Sequence, residues 1–314
     1  MDNTKVKDLE VNQDLIGYYL VKDILLKEGA NGCYLDMIFA DQTGVVNAKL
    51  WQCDPKDGDR FVRGSLVKIM GRVAEYRGKL QLNVAKIRLT TKEDGVNIED
   101  YVSSAPLNAE DMLTVVREYA QSIEDADIKK VVLHFLQKNQ KKLLYYPAAK
   151  SMHHAIRGGL LYHLLRMLQL AEAVAEVYPL LKRDLLYAGV ILHDMEKTSE
   201  LESDELGLAE YTLEGELLGH LVMGVRNISD ACKTLTVPES KSLILQHLVL
   251  SHHQKLEFGS PKPPMIPEAE MLHFIDMMDA RQYSFEEALN NIEPGEMSER
   301  IFALDNRRVY HYEG

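Results

Sequence analysis

The sequence predicts a multidomain protein of mixed α and β structure, a small β-barrel followed by an all-α helical bundle, and three observations carry that reading. Apolar residues alternate with period two through the first ninety of the 314 residues. From Thr90 to Leu107 no period is sustained, and acids, Gly, Ser and Pro mix. From Asn108 onward apolar residues recur at helical spacing. At roughly 100–200 residues per domain, this length suits two units, each able to bury its own core. The expected organisation is a barrel over 1–90, a linker over 91–107 and a helical region over 108–314.

Each strand has its own signal. Cys33, Leu35, Met37 and Phe39 alternate with Tyr34, Asp36, Ile38 and Ala40; Asp41 to Gly44 supplies turn chemistry, and Val45 to Trp51 returns. Ser65 to Glu75 reads as a strand, Arg77-Gly78 as a tight turn and Lys79 to Leu89 as the next strand. In that last strand the apolar phase slips between Val84 and Ile87, which predicts a bulge that bends it around a barrel. About four or five curved antiparallel strands in ninety residues fit an OB-fold, whose face and loops commonly hold single-stranded nucleic acid. The segment GRVAEYRGKLQLNV, within Val62 to Leu89, resembles OB-type nucleic-acid-binding domains.

Charge is informative only by region. The whole chain carries −12, which taken alone argues against a polyanion partner. Residues 1–90 nevertheless hold 14 Lys/Arg against 12 Asp/Glu, and Arg60 to Lys92 holds nine basic residues against the single acid Glu75. Such a stretch is either an electrostatic footprint for a polyanion or a solvated strand face. Arg72, Tyr76, Arg77, Lys79 and Trp51 are the candidate strand contacts. Cations would track phosphates and aromatic faces would stack bases, with core packing the competing role for the aromatics.

Other classes are excluded by composition. Hydrophobic residues at 46% and charged residues at 27% fit a globular chain rather than a disordered one. The longest apolar run, Leu185 to Leu192, is far short of the roughly 20 residues that span a bilayer. Cys33, Cys53 and Cys232 lie far apart in sequence, so neither a disulfide framework nor a Cys-rich zinc site is expected. With a polar N-terminus, MDNTKVKDLE, the expected location is cytoplasmic, without membrane association.

The second half is marked by histidine. Nine of eleven histidines fall between His153 and His273. A lone helical histidine is usually a surface or satisfied core residue, but here the order matters. HHAIRGGLLYHLL carries His153, His154 and His163; LLYAGVILHDMEK ends an apolar helix in His193-Asp194, with Lys197 one turn on. TLEGELLGHLVMGV carries His220, LILQHLVLSHHQ ends in His252-His253, and EAEMLHFIDMMDA carries Asp276 and Asp279. A carboxylate at the end of an apolar helix is costly unless a cation compensates it, and imidazole with carboxylate suits first-row divalent ions.

From Met152 to Ala280 these segments resemble the HD-domain metallophosphohydrolases. The resemblance implies a first metal site of His163, His193, Asp194 and Asp276. It implies a second of His220 with one or both of His252 and His253, Asp194 bridging the two. Met195-Glu196 departs from the Ile-Gly that many such proteins carry, while Lys197 keeps its place. Two divalent ions could clamp a phosphodiester and lower the pKa of a bridging water toward neutrality, which makes Asp194 and Lys197 the expected catalytic pair. His153, His154 and Arg157 are candidate substrate contacts, a charged helix start being the plain alternative. Gly158 and Gly159 would permit close approach there.

Barrel, linker and helical domain together resemble the bacterial YhaM-type 3′→5′ exoribonucleases, on the segments above together with YTLEGELLGH and LSHHQKLEFGSPKPP. That resemblance implies metal-dependent hydrolysis of single-stranded RNA from the 3′ end, with single-stranded DNA open as a second substrate. It favours Mn2+, leaves Fe2+, Mg2+, Co2+ and Zn2+ open, and is compatible with a homo-oligomer. Two alternatives stand beside it. One is an HD-domain phosphohydrolase of nucleotides or cyclic dinucleotides, and the other a non-enzymatic single-strand-binding or replication-associated protein.

Overall fold

The computed structural model describes residues 4–29, 32–54, 56–150 and 154–314. It divides into two compact units, Met1–Ser104 and Ala105–Gly314.

In the first unit, strands β1 (Asp14–Gly29), β2 (Gly32–Asp41), β3 (Gly44–Trp51), β4 (Leu66–Tyr76) and β5 (Lys79–Leu89) close into a barrel, with the short helix α1 (Asp57–Arg60) between β3 and β4. Strand order is β1-β2-β3-β5-β4. The alternation read in β2 and β3 puts Leu35, Met37, Phe39, Val46 and Ala48 inside, with Tyr19, Ile69, Val73 and Leu82 from the other strands. The antiparallel expectation fails for one pair, because β3 and β5 run parallel. Five strands cannot alternate in direction all the way around a closed ring, so one parallel neighbour is unavoidable. The bulge falls where the phase slips: Met70 pairs with Lys86 and Gly71 with Val84, leaving Ala85 extra. A second irregularity at Lys22, between Val21 and Asp23, bends β1 so that it pairs with both β2 and β4. Arg77 (φ 53°) and Gly78 (φ 75°) form the two-residue turn between β4 and β5.

The stretch expected as a linker is drawn onto the barrel instead. Asp94 takes a fork of hydrogen bonds from Arg88 (2.7 and 2.6 Å) with Lys68 at 3.6 Å, and Tyr101 and Val102 are buried. Cys33 and Cys53, distant in sequence, are brought together as free thiols whose sulfurs lie 3.5 Å apart.

The second unit begins with α2 (Ala109–Ser122), capped as expected by the Asn108 side chain, which accepts from the backbone N–H groups of Glu110 and Asp111. It continues through α3 (Ala126–Leu143), α4 (Gly159–Val177), α5 (Arg183–Leu192), α6 (Lys197–Glu200), the hairpin β6 (Leu201–Ser203) and β7 (Ala209–Tyr211), α7 (Leu213–Thr234), α8 (Glu239–Ser251) and α9 (Pro267–Leu289). The chain's longest apolar run is α5, and its place explains the composition. It packs against α2, α3, α4, α8 and α9, and a helix enclosed on all sides is apolar all round. No helix among the described residues is long and apolar enough to cross a membrane.

Candidate metal centre and nucleic-acid interface

Helix ends and one helix break aim the imidazoles and carboxylates at one point. His193 and Asp194 follow the last turn of α5, His252 and His253 follow α8, and Asp276 lies within α9. His163 sits in the second turn of α4. The first turn is pressed against the preceding loop at Gly159, where a Cβ would stand 2.1 Å from the His154 carbonyl oxygen. Helix α7 is interrupted at Gly219 (φ 68°, ψ 160°), and the break turns His220 inward, its backbone N–H donating to Glu200 Oε1 at 3.1 Å.

Asp194 is the centre of the cluster. Its Oδ2 lies 3.3 Å from His193 Nε2, 4.0 Å from His163 Nε2 and 2.8 Å from Lys197 Nζ. Its Oδ1 lies 3.3 Å from His220 Nε2 and 3.8 Å from His252 Nε2. Asp276 Oδ1 lies 3.3 Å from His163 Nε2. Donor atoms close enough to share an ion occur in the trios His163, His193, Asp276 and His220, His252, His253, with Asp194 grouped with His193 and His252 between them.

Every one of these five rings has its Nδ1 engaged. His193 faces the Val190 carbonyl (2.7 Å), His252 that of Val249 (2.8 Å) and His253 that of Phe258 (2.7 Å). His163 faces Asp279 Oδ2 (2.7 Å) and His220 faces Glu200 Oε1 (3.1 Å). An acceptor at Nδ1 fixes the proton there and leaves Nε2 as the donor atom for a ligand. Consistent with that, Nε2 of His193, His220 and His252 and Oδ1 of Asp194 are buried with no hydrogen-bond partner among the described residues. Where His193 and His220 approach Asp194 at 3.3 Å, a ring lone pair faces a carboxylate lone pair, an arrangement that a shared cation makes favourable. The residues therefore fit divalent metal, by donor chemistry and by orphaned buried atoms.

Electrostatics prepare the same set. Burial opposes ionisation of Asp194, yet Lys197, His193 and His220 hold its carboxyl well below the usual range. Burial likewise opposes the ionisation of Asp276, and His163 holds it low. Burial pushes His252 and His253 below the ordinary histidine value, so both stay neutral and able to ligate. Burial also works against charge on His163, but hydrogen bonds to Asp276 and Asp279 prevail and raise it to about 9. Lys197 is raised despite burial, because Asp194 stabilises its charge.

Some expected site residues lie elsewhere. His153 is outside the described residues. His154, expected to contact substrate, is wholly buried instead: its Nε2 lies 2.8 Å from Asp279 Oδ2, its ring 3.9 Å from that of Tyr283. Arg157 donates from Nε to the Glu205 carbonyl (2.7 Å). Lys197, expected to be catalytic with Asp194, lies at the centre, its Nζ 2.8 Å from Asp194 Oδ2. The sequence reading missed Glu200, whose partner His220 is twenty residues away with nothing in the spacing to join them. Glu196, the departure from the family pattern, is buried with neither carboxylate oxygen hydrogen-bonded among the described residues.

On the barrel, register places the expected contacts on one outer face. Arg72 pairs with Asn83, Asn83 with Lys49 and Lys49 with Asp36; Tyr76 pairs with Lys79 and Trp51 with Tyr34. Paired and alternate residues share a face, so Trp51, Lys49, Arg72, Tyr76 and Lys79 all point outward. Trp51 is half exposed, its ring 4.9 Å from Tyr34, with Lys49 Nζ 5.0 Å from the Tyr34 ring and 5.8 Å from the Trp51 ring. Arg77 lies over Tyr76 at 5.3 Å. Aromatic planes interleaved with cations suit stacked bases and their phosphates.

Known proteins share both halves. Residues 21–90 match the OB-fold nucleic acid binding domain model and residues 160–281 the HD domain model. The chain is 44% identical over 302 residues to the 3′-5′ exoribonuclease YhaM of Geobacillus sp. (strain WCH70), covering 96% of this chain and 93% of that one. It is 45% identical over 302 residues to the 3′-5′ exoribonuclease YhaM of Halalkalibacterium halodurans, covering 96% and 94%.

Proposed function

The chain belongs to the YhaM 3′-5′ exoribonuclease family, and from that premise we propose how its two units divide the work. It is a metal-dependent 3′-5′ exoribonuclease. The barrel holds single-stranded RNA, with single-stranded DNA open as a second ligand, on the face carrying Trp51, Tyr34, Lys49, Arg72, Tyr76, Arg77 and Lys79. The helical unit hydrolyses the terminal phosphodiester at the centre built on Asp194.

The observation that carries this reading is the division of Asp194, with Oδ2 toward His193 and His163 and Oδ1 toward His220 and His252. One carboxylate serving two imidazole sets supports two ions per chain, and the resemblance to the family favours Mn2+ for them. His163, His193, Asp194 and Asp276 would hold one, and Asp194, His220, His252 and His253 the other. When bound, such ions supply Lewis acidity toward the scissile phosphate and make water a competent nucleophile near neutral pH. The residues supply the rest. Asp194 and Asp276 stay ionised and orient the centre. Lys197 keeps its proton, balances Asp194 and adds positive field beside the phosphate. Backbone carbonyls of Val190, Val249 and Phe258 prevent His193, His252 and His253 from rotating.

RNA labelled at either end tests the reading. With Mn2+, a 5′ label is expected to persist on progressively shortened strands while a 3′ label appears at once in mononucleotides, and EDTA is expected to stop both. Internal fragments from either label, or turnover surviving EDTA, would overturn it.

A further inference from the structure

Five imidazoles surround Asp194, and their Nδ1 partners are of two kinds. Three face neutral backbone carbonyls, whereas His163 faces the carboxylate of Asp279 and His220 that of Glu200. These two rings fall in different trios, His163 with His193 and Asp276, His220 with His252 and His253. Each half of the centre thus contains one carboxylate-backed histidine. We propose that Asp279 and Glu200 are paired positioning residues, each fixing the ring and raising the donor strength of the leading histidine of one half-site. This rests on the two-ion reading above.

The surroundings of Asp279 show that it is built for this role. It is fully buried, and an isolated carboxylate there would be very costly. Three groups compensate it: His163 Nδ1 at 2.7 Å and His154 Nε2 at 2.8 Å on Oδ2, and Arg166 Nε at 2.6 Å from Oδ1. Arg166 is itself forked onto Glu286 at 2.8 and 3.1 Å. The chain Glu286, Arg166, Asp279, His163 therefore runs from the surface of α9 to the centre with no free end. It also gives His154 a purpose: its contact with Oδ2 at 2.8 Å is a second restraint on the carboxylate oxygen that faces His163.

His154, His163 and Asp279 are close enough to share an ion of their own. Two contacts argue against that: both ring nitrogens already lie at hydrogen-bond distance from Oδ2, 2.8 and 2.7 Å, and Arg166 Nε at 2.6 Å from Oδ1 supplies the compensating charge. The trio is an outer support for His163. Second partners of this kind are worth about 10–100-fold in metal affinity.

The test is calorimetric Mn2+ titration of EDTA-stripped full-length protein, with thermal melting of the stripped protein alongside. Wild type is expected to bind in two steps. Asp279→Asn keeps size and removes charge; it is expected to weaken one step by about 10–100-fold and leave the other unchanged. Glu200→Gln, at a less enclosed position, is expected to weaken the other step, and Asp279→Glu to restore part of the loss in the first. Wild-type affinity in both steps of Asp279→Asn would overturn the proposal, as would equal weakening of both, which marks a general disturbance. A lowered melting temperature with unchanged affinity would also overturn it. If wild type binds a single ion the two-ion reading fails by itself. Asp279 is then retained if its Asn variant weakens that ion and rejected if it does not.

Discussion

Replacing Lys197 by Met separates the electrostatics of the stripped centre from those of the loaded one. Lys197 Nζ lies 2.8 Å from Asp194 Oδ2, and the two side chains are 13% and 3% exposed. At an effective dielectric of about 20 the pair interacts by about 6 kcal/mol, and removing one partner of a buried pair costs about 3–5 kcal/mol. Met keeps the length and apolar stem, so the loss is that of the charge. For a unit of this size each kcal/mol moves the melting temperature by about 2–4 °C, so stripped Lys197→Met is expected to melt about 6–20 °C below wild type. Divalent ions on Asp194 would take over the compensation. In saturating Mn2+ the gap is therefore expected to shrink by more than half. Differential scanning calorimetry of both proteins in EDTA and in Mn2+ reads all four values. An equal gap in the two conditions would refute the reasoning, because Asp194 would then gain nothing from metal.

Further expectations come from single residues. His163, raised to about 9, stabilises the stripped fold below the ordinary histidine value, and that contribution is lost as pH rises through about 9. Metal must displace its proton, so Mn2+ affinity should rise with pH up to about 9, with proton release visible as buffer-dependent heats of binding. Gly159→Ala would put a Cβ 2.1 Å from the His154 carbonyl; a melting loss equivalent to about 1–3 kcal/mol or more is expected, with weaker Mn2+ binding as His154 leaves Asp279. Trp51→Ala should weaken oligonucleotide binding by about 5–150-fold, the equivalent of about 1–3 kcal/mol of stacking, while hydrolysis of a small phosphodiester stays unchanged. Arg72→Ala should instead flatten the salt dependence of RNA binding, measured by fluorescence anisotropy across ionic strengths.

Much of this was legible because period and order survive in sequence. Alternation in Leu35, Met37 and Phe39 gave the barrel wall, and the slip between Val84 and Ile87 marked the bulge. The long strand β1 was not legible, since the extra residue at Lys22 breaks its alternation midway. The parallel β3–β5 pair is a consequence of ring closure and has no local signature. In the centre, the residues that meet Asp194 stood out because imidazole and carboxylate are rare at the ends of apolar helices. What holds them did not. Asp279 lies 116 positions from His163 and Glu200 twenty from His220, and no periodicity links a ring to its distant acceptor. His154 was misplaced for the same reason: a histidine at a helix start looks accessible until the loop is seen folded onto Gly159.

The most direct test is turnover of single-stranded RNA by Asp194→Asn and His193→Ala in saturating Mn2+, with folding verified by circular dichroism and melting. Both variants should be folded and should lose hydrolysis by several orders of magnitude while still binding RNA through the barrel. A folded Asp194→Asn protein that shortens RNA at the wild-type rate would place the chemistry somewhere other than the centre described above.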